Sequence, residues 1–306
     1  MTSKRVAVLM GGWSSEREVS LVSGAAVVES LKELGHEVLP IDVSRDLQAL
    51  LTALTPRPDV IFNALHGVGG EDGTIQGVLE ILGVPYTHSG VVSSAIAMDK
   101  ILSRKVFASE GIKTPEWELI TFDDLKKGHP MLFPYVIKPV GEGSSKGVYI
   151  VCDDTEYNKA IENWCYGNDI LIEKYIPGKE IQVAVINNQA IGAIEICPLS
   201  GFYDYEAKYT PGKAEHIMPA RLSPKAYQTS LDLALKAHKA LNCRGVTRAD
   251  FRYDDTHGGT GDFYLLEVNT QPGMTPLSLV PEIAAFNKMN FSQLIQSMIE
   301  NAECGL

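Results

Sequence analysis

"YLLEVNTQPGMT" (264–275) begins as a buried strand and ends as a buried strand should not. Tyr264 to Val268 is largely apolar, yet Glu267 and Asn269 stand two apart just before a Pro-Gly turn. Burying an unpaired carboxylate is costly, so something must compensate Glu267. The longer stretch "GVTRADFRYDDTHGGTGDFYLLEVN" (245–269) reads as a hairpin around a glycine-rich tip. Because strand side chains alternate between faces, Arg248, Asp250 and Arg252 share one face. Phe263, Leu265, Glu267 and Asn269 share a face of the partner strand. A hairpin centred near Gly258-Gly259 sets Asp250 opposite Glu267 and Arg248 opposite Asn269. Facing carboxylates repel unless a cation lies between them. Two carboxylates and an amide, with no His or Cys, suit magnesium completed by phosphate oxygens and water. The plainer alternative is an Asp250–Arg248 or Glu267–Arg252 pair on a solvated face.

Upstream, "YVIKPVGEGSSKGVYIV" (135–151) reads as strand, glycine-rich loop, strand. It lacks the GK[ST] ending of a Walker loop, and a strand rather than a helix follows it, which excludes a dinucleotide-binding turn. Such a loop is a flap whose backbone N–H groups can fold over phosphates, with Lys138 adding positive charge; the alternative is a plain hairpin. A helix near 155–166 leads to "DILIEKYI" (169–176), a Pro-Gly turn, and the paired runs "KEIQVAVIN" and "NQAIGAIEIC". Glu173-Lys174 reads here as an exposed strand edge, the commoner setting for charge. From Cys197 to Leu222 runs a long, aromatic, turn-rich stretch, and loops of that length are uncommon unless functional or disordered. A helix follows from Pro224 to about Asn242.

The first hundred residues have another rhythm. "RVAVLMGG" (5–12) and "EVSLVSGAAVVESLKELGHEVLPIDV" (18–43) give strand, turn, helix, strand, with Ser15 and Glu18 as a capping box and Gly35 closing the helix. "PDVIFNALHG" (58–67) is a second buried strand, and "TIQGVLEILGVPYTHSG" (74–90) is a helix and a short strand. Residues 1 to about 97 thus form an open, mostly parallel α/β sheet. Ligands of such sheets sit beyond the carboxyl ends of the strands, which here hold "GGWSSE" (11–16) and "HGVGGEDG" (66–73). Taken singly, His66 reads as a satisfied loop histidine and Glu16 as a favourable first-turn charge. "SSAIAMDKILSRKVFASEGI" (93–112) reads as one helix.

The chain has 306 residues, room for two or three domains, and a net charge of −11 from 27 basic and 38 acidic side chains. That balance argues against a nucleic-acid or anionic-membrane surface. A polyanionic ligand would need local lysine, arginine or metal to overcome it. Five scattered cysteines, never in a CxxC pair, read as reduced thiols rather than a zinc site or disulfide framework. The N-terminal apolar run is too short for a signal peptide or membrane span, which reads as cytoplasmic.

In their order, "GGWSSEREVS", "LHGVGGEDGTIQG", "MDK", "VIKPVGEGSSKGV", "ILIEKYIPGKE", "FYDYEAKY", "TRADF" and "LLEVNTQPGMTPLSLVP" resemble the ATP-grasp enzymes, and within them the D-alanine–D-alanine ligases. The likeness spans essentially the whole chain. It implies three domains: 1–97, an α/β substrate-binding domain; 98–178, a central domain with the flap; and 179–306, a C-terminal domain with the metal site and closing loop. ATP would lie between the antiparallel sheets of the last two. Lys100 and Lys138 would meet its phosphates, with Lys208 also at the nucleotide; Glu173 and the chain through Lys174 and Ile176 would hold adenine, and Glu180 the ribose. Asp250, Glu267 and Asn269 would bind two magnesium ions, or manganese, with Glu267 bridging.

The implied reaction joins two D-alanines through an acyl phosphate, for peptidoglycan precursor synthesis. Glu16 would hold the first substrate's ammonium beside His66, and Ser278 and the Leu279 N–H the second substrate's carboxylate. Arg248 and the Gly273 N–H would stabilise the oxyanion, while Ser144 and Tyr209 would link Glu16 to the closing loop. Lys208-Tyr209 stand as in ligases that make the dipeptide, against D-lactate or D-serine as second substrate. Pro276-Leu277 replace a frequent Ser-His beside the second-substrate pocket, and "TRAD" replaces a frequent Gly-Arg-x-Asp while keeping Arg248 and Asp250. A homodimer is implied too. The rival of another class is a non-catalytic nucleotide-binding regulator.

Overall fold

Two short strands with nearly every side chain buried, and a third partly covered beside them, form one sheet in the computed structural model, which describes residues 2–199 and 212–305. β1 (Arg5–Gly11) runs parallel to β2 (Glu37–Val43) on one side and β3 (Val60–Asn63) on the other. Burial on both faces is what a parallel sheet flanked by helices demands. α1 (Arg17–Glu33) covers one face, and α2 (Leu47–Ala53) and α3 (Thr74–Leu82) complete the unit. The segment read as a short strand near Val84–Tyr86 is only a bridge, Tyr86 meeting Ile61 and Glu303. The Ser15–Glu18 capping box does not form. The N-cap is Glu16, without a side-chain cap bond. Ser14 does the local work instead, accepting from the Glu16 N–H at 3.1 Å and donating to the His66 carbonyl at 2.6 Å.

The helix expected over 93–112 is two, α4 (Val91–Met98) and α5 (Lys100–Ser109). Asp99 breaks it by capping the second, accepting from the N–H groups of Ile101 and Leu102. β4 (Trp117–Thr121), α6 (Phe122–Leu125), β5 (Tyr135–Pro139), β6 (Tyr149–Val151), α7 (Asp154–Asn163) and β7 (Asp169–Lys174) follow. Their four strands make an antiparallel sheet in the order β4-β7-β5-β6. β7 is therefore interior, which overturns the reading of Glu173 as an exposed edge; Glu173 is 3% exposed, and only Lys174 faces solvent.

β8 (Lys179–Ile186), β9 (Gln189–Pro198), β10 (Ala214–Ile217), β11 (Val246–Tyr253) and β12 (Phe263–Asn269) build a second antiparallel sheet, in the order β10-β9-β8-β11-β12. β10 pairs with β9, so the stretch from 197 to 222 is not one continuous loop. α8 (Pro224–Ala240) and α9 (Leu279–Phe286) pack on this sheet, while α10 (Phe291–Glu300) packs on α9, α1 and β3. One apolar core joins Val6, Val8 and Phe62 of the first sheet to Ala184, Ile186, Ile194 and Ile196 of the last. Phe107 and Ile112 pack into a second core with the C-terminal sheet. The four-stranded sheet keeps a core of its own, around Tyr135, Ile137, Val151 and Ile172.

Candidate active site

The 245–269 hairpin pairs as its alternation predicts, Asp250 against Glu267 and Arg248 against Asn269, with a bulge just after Asp250. β8 lies on the other side and puts Gln182 beside Asp250. Arg248 donates to both Asp250 oxygens, from Nε at 2.7 Å and Nη2 at 2.8 Å, and Asn269 Nδ2 lies 3.2 Å from Oδ2. The Asp250–Arg248 pair that the sequence left open thus exists, but Asp250 is 5% exposed and the face is not solvated. Lys100 Nζ lies 3.8 Å from Glu267 Oε2. Arg252 turns away to the carbonyls of Ile176 and Gly178 and lies 3.9 Å from Glu180.

Lys100, Asp250, Arg252 and Glu267 help to line a cleft between the two antiparallel sheets, about 840 Å³ with its opening to solvent. Glu180, Asp250, Arg252, Leu266 and Glu267 line it from the C-terminal sheet; Val136, Lys138, Ile150 and Glu173 to Ile176 line it from the central one. Inside, Glu173 accepts from Lys138 Nζ at 2.5 Å and from Arg104 Nη2. Burial pushes the Lys138 ammonium down to about 8, against the pull of Glu173. Arg104, wholly buried, escaped the sequence reading. The available signal was its i,i+4 spacing from Lys100, which puts both on one helix face.

The flap closes the cavity's end. Ser144 and Ser145 both have positive φ, 51° and 58°, and Lys100 Nζ donates to the Glu142 carbonyl at 2.6 Å. Ser144 Oγ donates to Glu16 Oε1, and Lys146 Nζ to the Ser15 carbonyl at 2.7 Å, so the flap bridges to the first sheet. Two glycines make room for Glu16. A Cβ on Gly67 would lie 2.8 Å, and one on Gly143 3.0 Å, from Glu16 Oε2.

Beyond Glu16 opens a second cavity of about 650 Å³, whose lining includes Glu16, His66, Ser144, Arg248, Gly273 and Ser278. Glu71, Glu267 and Leu279 line it as well. Loops attached to the first and central sheets therefore converge here on strands of the C-terminal sheet. His66 is 7% exposed and 3.5 Å from Glu71. Burial disfavours its charge, but Glu71 and Glu16 outweigh this and raise its pKa. Ser278 is the N-cap of α9, and its Oγ accepts from the Thr275 N–H at 2.9 Å. Leu279 opens that helix, where backbone N–H groups favour an anion. Glu71 was not singled out from sequence, although it stands five residues after His66 in the same glycine-rich run. Lys208 and Tyr209 lie outside the described residues.

Among the described residues no cluster of three or more His, Cys, Asp and Glu could hold a metal unaided. Asp250, Glu267 and Asn269 nonetheless fit a hard cation that keeps sites for phosphate and water. The buried Oε1 of Gln182, in the same cross-strand row, has no hydrogen-bond partner, as expected where a polar guest completes the set.

Two antiparallel sheets facing across a cleft, lysines on one wall and carboxylates on the other, with a glycine-rich flap at its mouth, define an ATP-grasp fold. Residues 5–57 and 48–89 match the family described as D-ala D-ala ligase N-terminus, and residues 106–300 match D-ala D-ala ligase C-terminus. The chain is 52% identical over 305 residues to the D-alanine–D-alanine ligase of Granulibacter bethesdensis, covering 99% of each. The solved D-alanine–D-alanine ligase from Bacillus anthracis complexed with ATP is 35% identical, with a TM-score of 0.80 over 98% of this chain and 97% of that one. The VanG D-Ala:D-Ser ligase from Enterococcus faecalis is 29% identical, with a TM-score of 0.80 over 98% and 99%. The chain belongs to the D-alanine–D-alanine ligase family.

Proposed function

We propose that the chain ligates two D-alanines at the expense of ATP, giving D-alanyl-D-alanine, ADP and phosphate for peptidoglycan precursors. The observation that carries this reading is the meeting of Glu16, Ser144, Arg248, Glu267 and Gly273 around one cavity that opens beside the cleft between the sheets.

ATP occupies that cleft. Glu173, Lys174 and Ile176 hold its adenine and Glu180 its ribose, while Lys100 and Lys138 neutralise its phosphates and Lys208 also serves the nucleotide. Asp250, Glu267 and Asn269 hold magnesium, which when bound offsets phosphate charge that an acidic chain would otherwise repel. Glu16 takes the ammonium of the first D-alanine and His66 helps seat it. Its carboxylate attacks the γ-phosphorus, giving an acyl phosphate and ADP; catalysis of that step is mostly positioning and charge neutralisation.

The second D-alanine is held by its carboxylate at Ser278 and the Leu279 N–H. Its amine attacks the acyl carbon, and the tetrahedral intermediate then loses phosphate. Arg248 and the Gly273 N–H stabilise the oxyanion. Ser144 and Tyr209 link Glu16 to the closing loop, and closure excludes water from the acyl phosphate. We further propose that the protein works in the cytoplasm as a homodimer. The absence of any described helix long and apolar enough to cross a membrane is compatible with that location.

The test is phosphate release with ATP and magnesium across D-alanine, L-alanine, D-serine and D-lactate. Release is expected with D-alanine alone or in clear preference. Silence with D-alanine at millimolar concentration, from folded protein, overturns the reading in favour of a nucleotide-binding regulator. Preference for a D-alanine/D-serine mixture would move the chain toward the D-Ala:D-Ser ligases.

A further inference from the structure

Ser23 has no part in the chemistry above, yet its hydroxyl sits where three segments meet. It lies on α1 (Arg17–Glu33) and is 1% exposed. The His66 ring Nε2 is 3.2 Å from Ser23 Oγ, and the Met274 backbone N–H donates to the same oxygen at 3.3 Å. His66 Nδ1 faces Glu71 Oε1 at 3.5 Å, and Glu71 Oε2 is itself fixed by the Gly67 N–H at 2.8 Å. A carboxylate beside Nδ1 keeps a proton there, and Nε2 pairs with the serine hydroxyl, accepting from it when the ring is neutral and donating to it when the ring is charged. The serine oxygen can donate to the ring and accept from Met274 at once. Alanine would serve the helix better at so buried a position, so the hydroxyl is there for its partners. Ser20, one turn earlier, is used in the same way: it donates to the Ala64 carbonyl at 2.7 Å and accepts from the Gly11 N–H at 2.9 Å.

We propose that Glu71, His66 and Ser23 form a positioning relay that fixes the Gly273-Met274 turn. The relay ties the loop beside the first substrate to the turn that carries the Gly273 N–H, so a displaced loop displaces the oxyanion donor with it. The inference rests on the role given to Gly273 above. None of the three residues needs to touch the reacting atoms to act in this way.

The test uses the full chain as wild type, Ser23→Ala, Glu71→Gln and the double variant. Ser23→Ala is expected to lower kcat about 10- to 100-fold, the scale of loss from a small remote misplacement, with the Kd for ADP and magnesium unchanged within about twofold. The double variant should be no slower than the slower single one, because members of one relay fail together. A kcat within about twofold of wild type for Ser23→Ala, or losses that multiply in the double variant, overturns the relay. Hydrogen exchange at the Met274 amide reads the same contact without turnover. It should quicken at least about tenfold in Ser23→Ala, and unchanged exchange overturns the relay whatever the activity. Wild-type silence with D-alanine would sink only the functional reading, since the exchange arm still decides the relay.

Discussion

Replacing Glu173 with Gln changes charge without changing shape, and the surroundings make that expensive. The carboxylate is 3% exposed and serves two cations, Lys138 Nζ at 2.5 Å and the guanidinium of Arg104, which is 0% exposed. Arg104 Nε already lacks a partner. Removing one member of a buried ion pair leaves an uncompensated charge and costs about 3–5 kcal/mol. At about 2 °C per kcal/mol for a chain of this length, the Tm of the ligand-free protein should fall by about 6–10 °C. The deficit should also depend on pH. Lys138 already sits at about 8 because burial outweighs its carboxylate partner; without that partner it falls lower. The variant's lysine then sheds its proton before the wild type's does, so the deficit is widest in mild acid, narrows as pH rises toward 8, and is flat beyond. Thermal and urea unfolding from pH 6 to 9 measures both effects. A Tm within 1 °C of wild type across that range would refute the account of Glu173 as the counter-charge to two buried cations.

Glu267→Gln should reduce phosphate release at least about 100-fold and raise the magnesium needed for half-activity, since charge stabilisation at such sites is worth that much; full activity at unchanged magnesium would sink the metal assignment. Gly67→Ala places a Cβ 2.8 Å from Glu16 Oε2 at a φ of +68°, costing about 1–2 kcal/mol. It should raise the KM for D-alanine about tenfold or more, and an unchanged KM would remove Glu16 from the substrate's ammonium. Burial pushes the His88 ring down to about 3 and His238 to about 4. Both gain protons on unfolding below about 6.5, so stability is full above that pH and each costs about 2 kcal/mol by pH 5. His66, with its raised pKa, offsets part of this, and urea midpoints that hold steady or rise from pH 7 to 5 would contradict the sum.

Local rules carried the reading furthest where contacts are local. The hairpin's period of two and its glycine tip set the Asp250–Glu267 register correctly, although the bulge after Asp250 leaves no sequence mark. Glu173 misled because the interior position of β7 depends on strand order, and its compensation on Arg104, 69 residues away. Asp99 stands inside "MDK", but the apolar pattern runs through it and hides the helix break. Ser15 and Glu18 have the capping-box spacing and do not use it. Ser14 takes the Glu16 N–H instead and donates to a loop 52 residues on, a partner that local spacing does not show. Ser23 carries no motif because its partners, His66 and the Met274 N–H, come from segments 43 and 251 residues away.

The apolar core that runs from the first sheet into the last has a mechanical consequence. Prising those two apart would expose Val, Ile and Phe side chains at about 1.5–3 kcal/mol each. The flap meets the loops of the first sheet through polar contacts, Ser144 to Glu16 and Lys146 to Ser15 among them, each worth about 0.5–1.5 kcal/mol net. Parting the four-stranded sheet from the rest therefore costs less than parting the first sheet from the last, because only the latter two share that core.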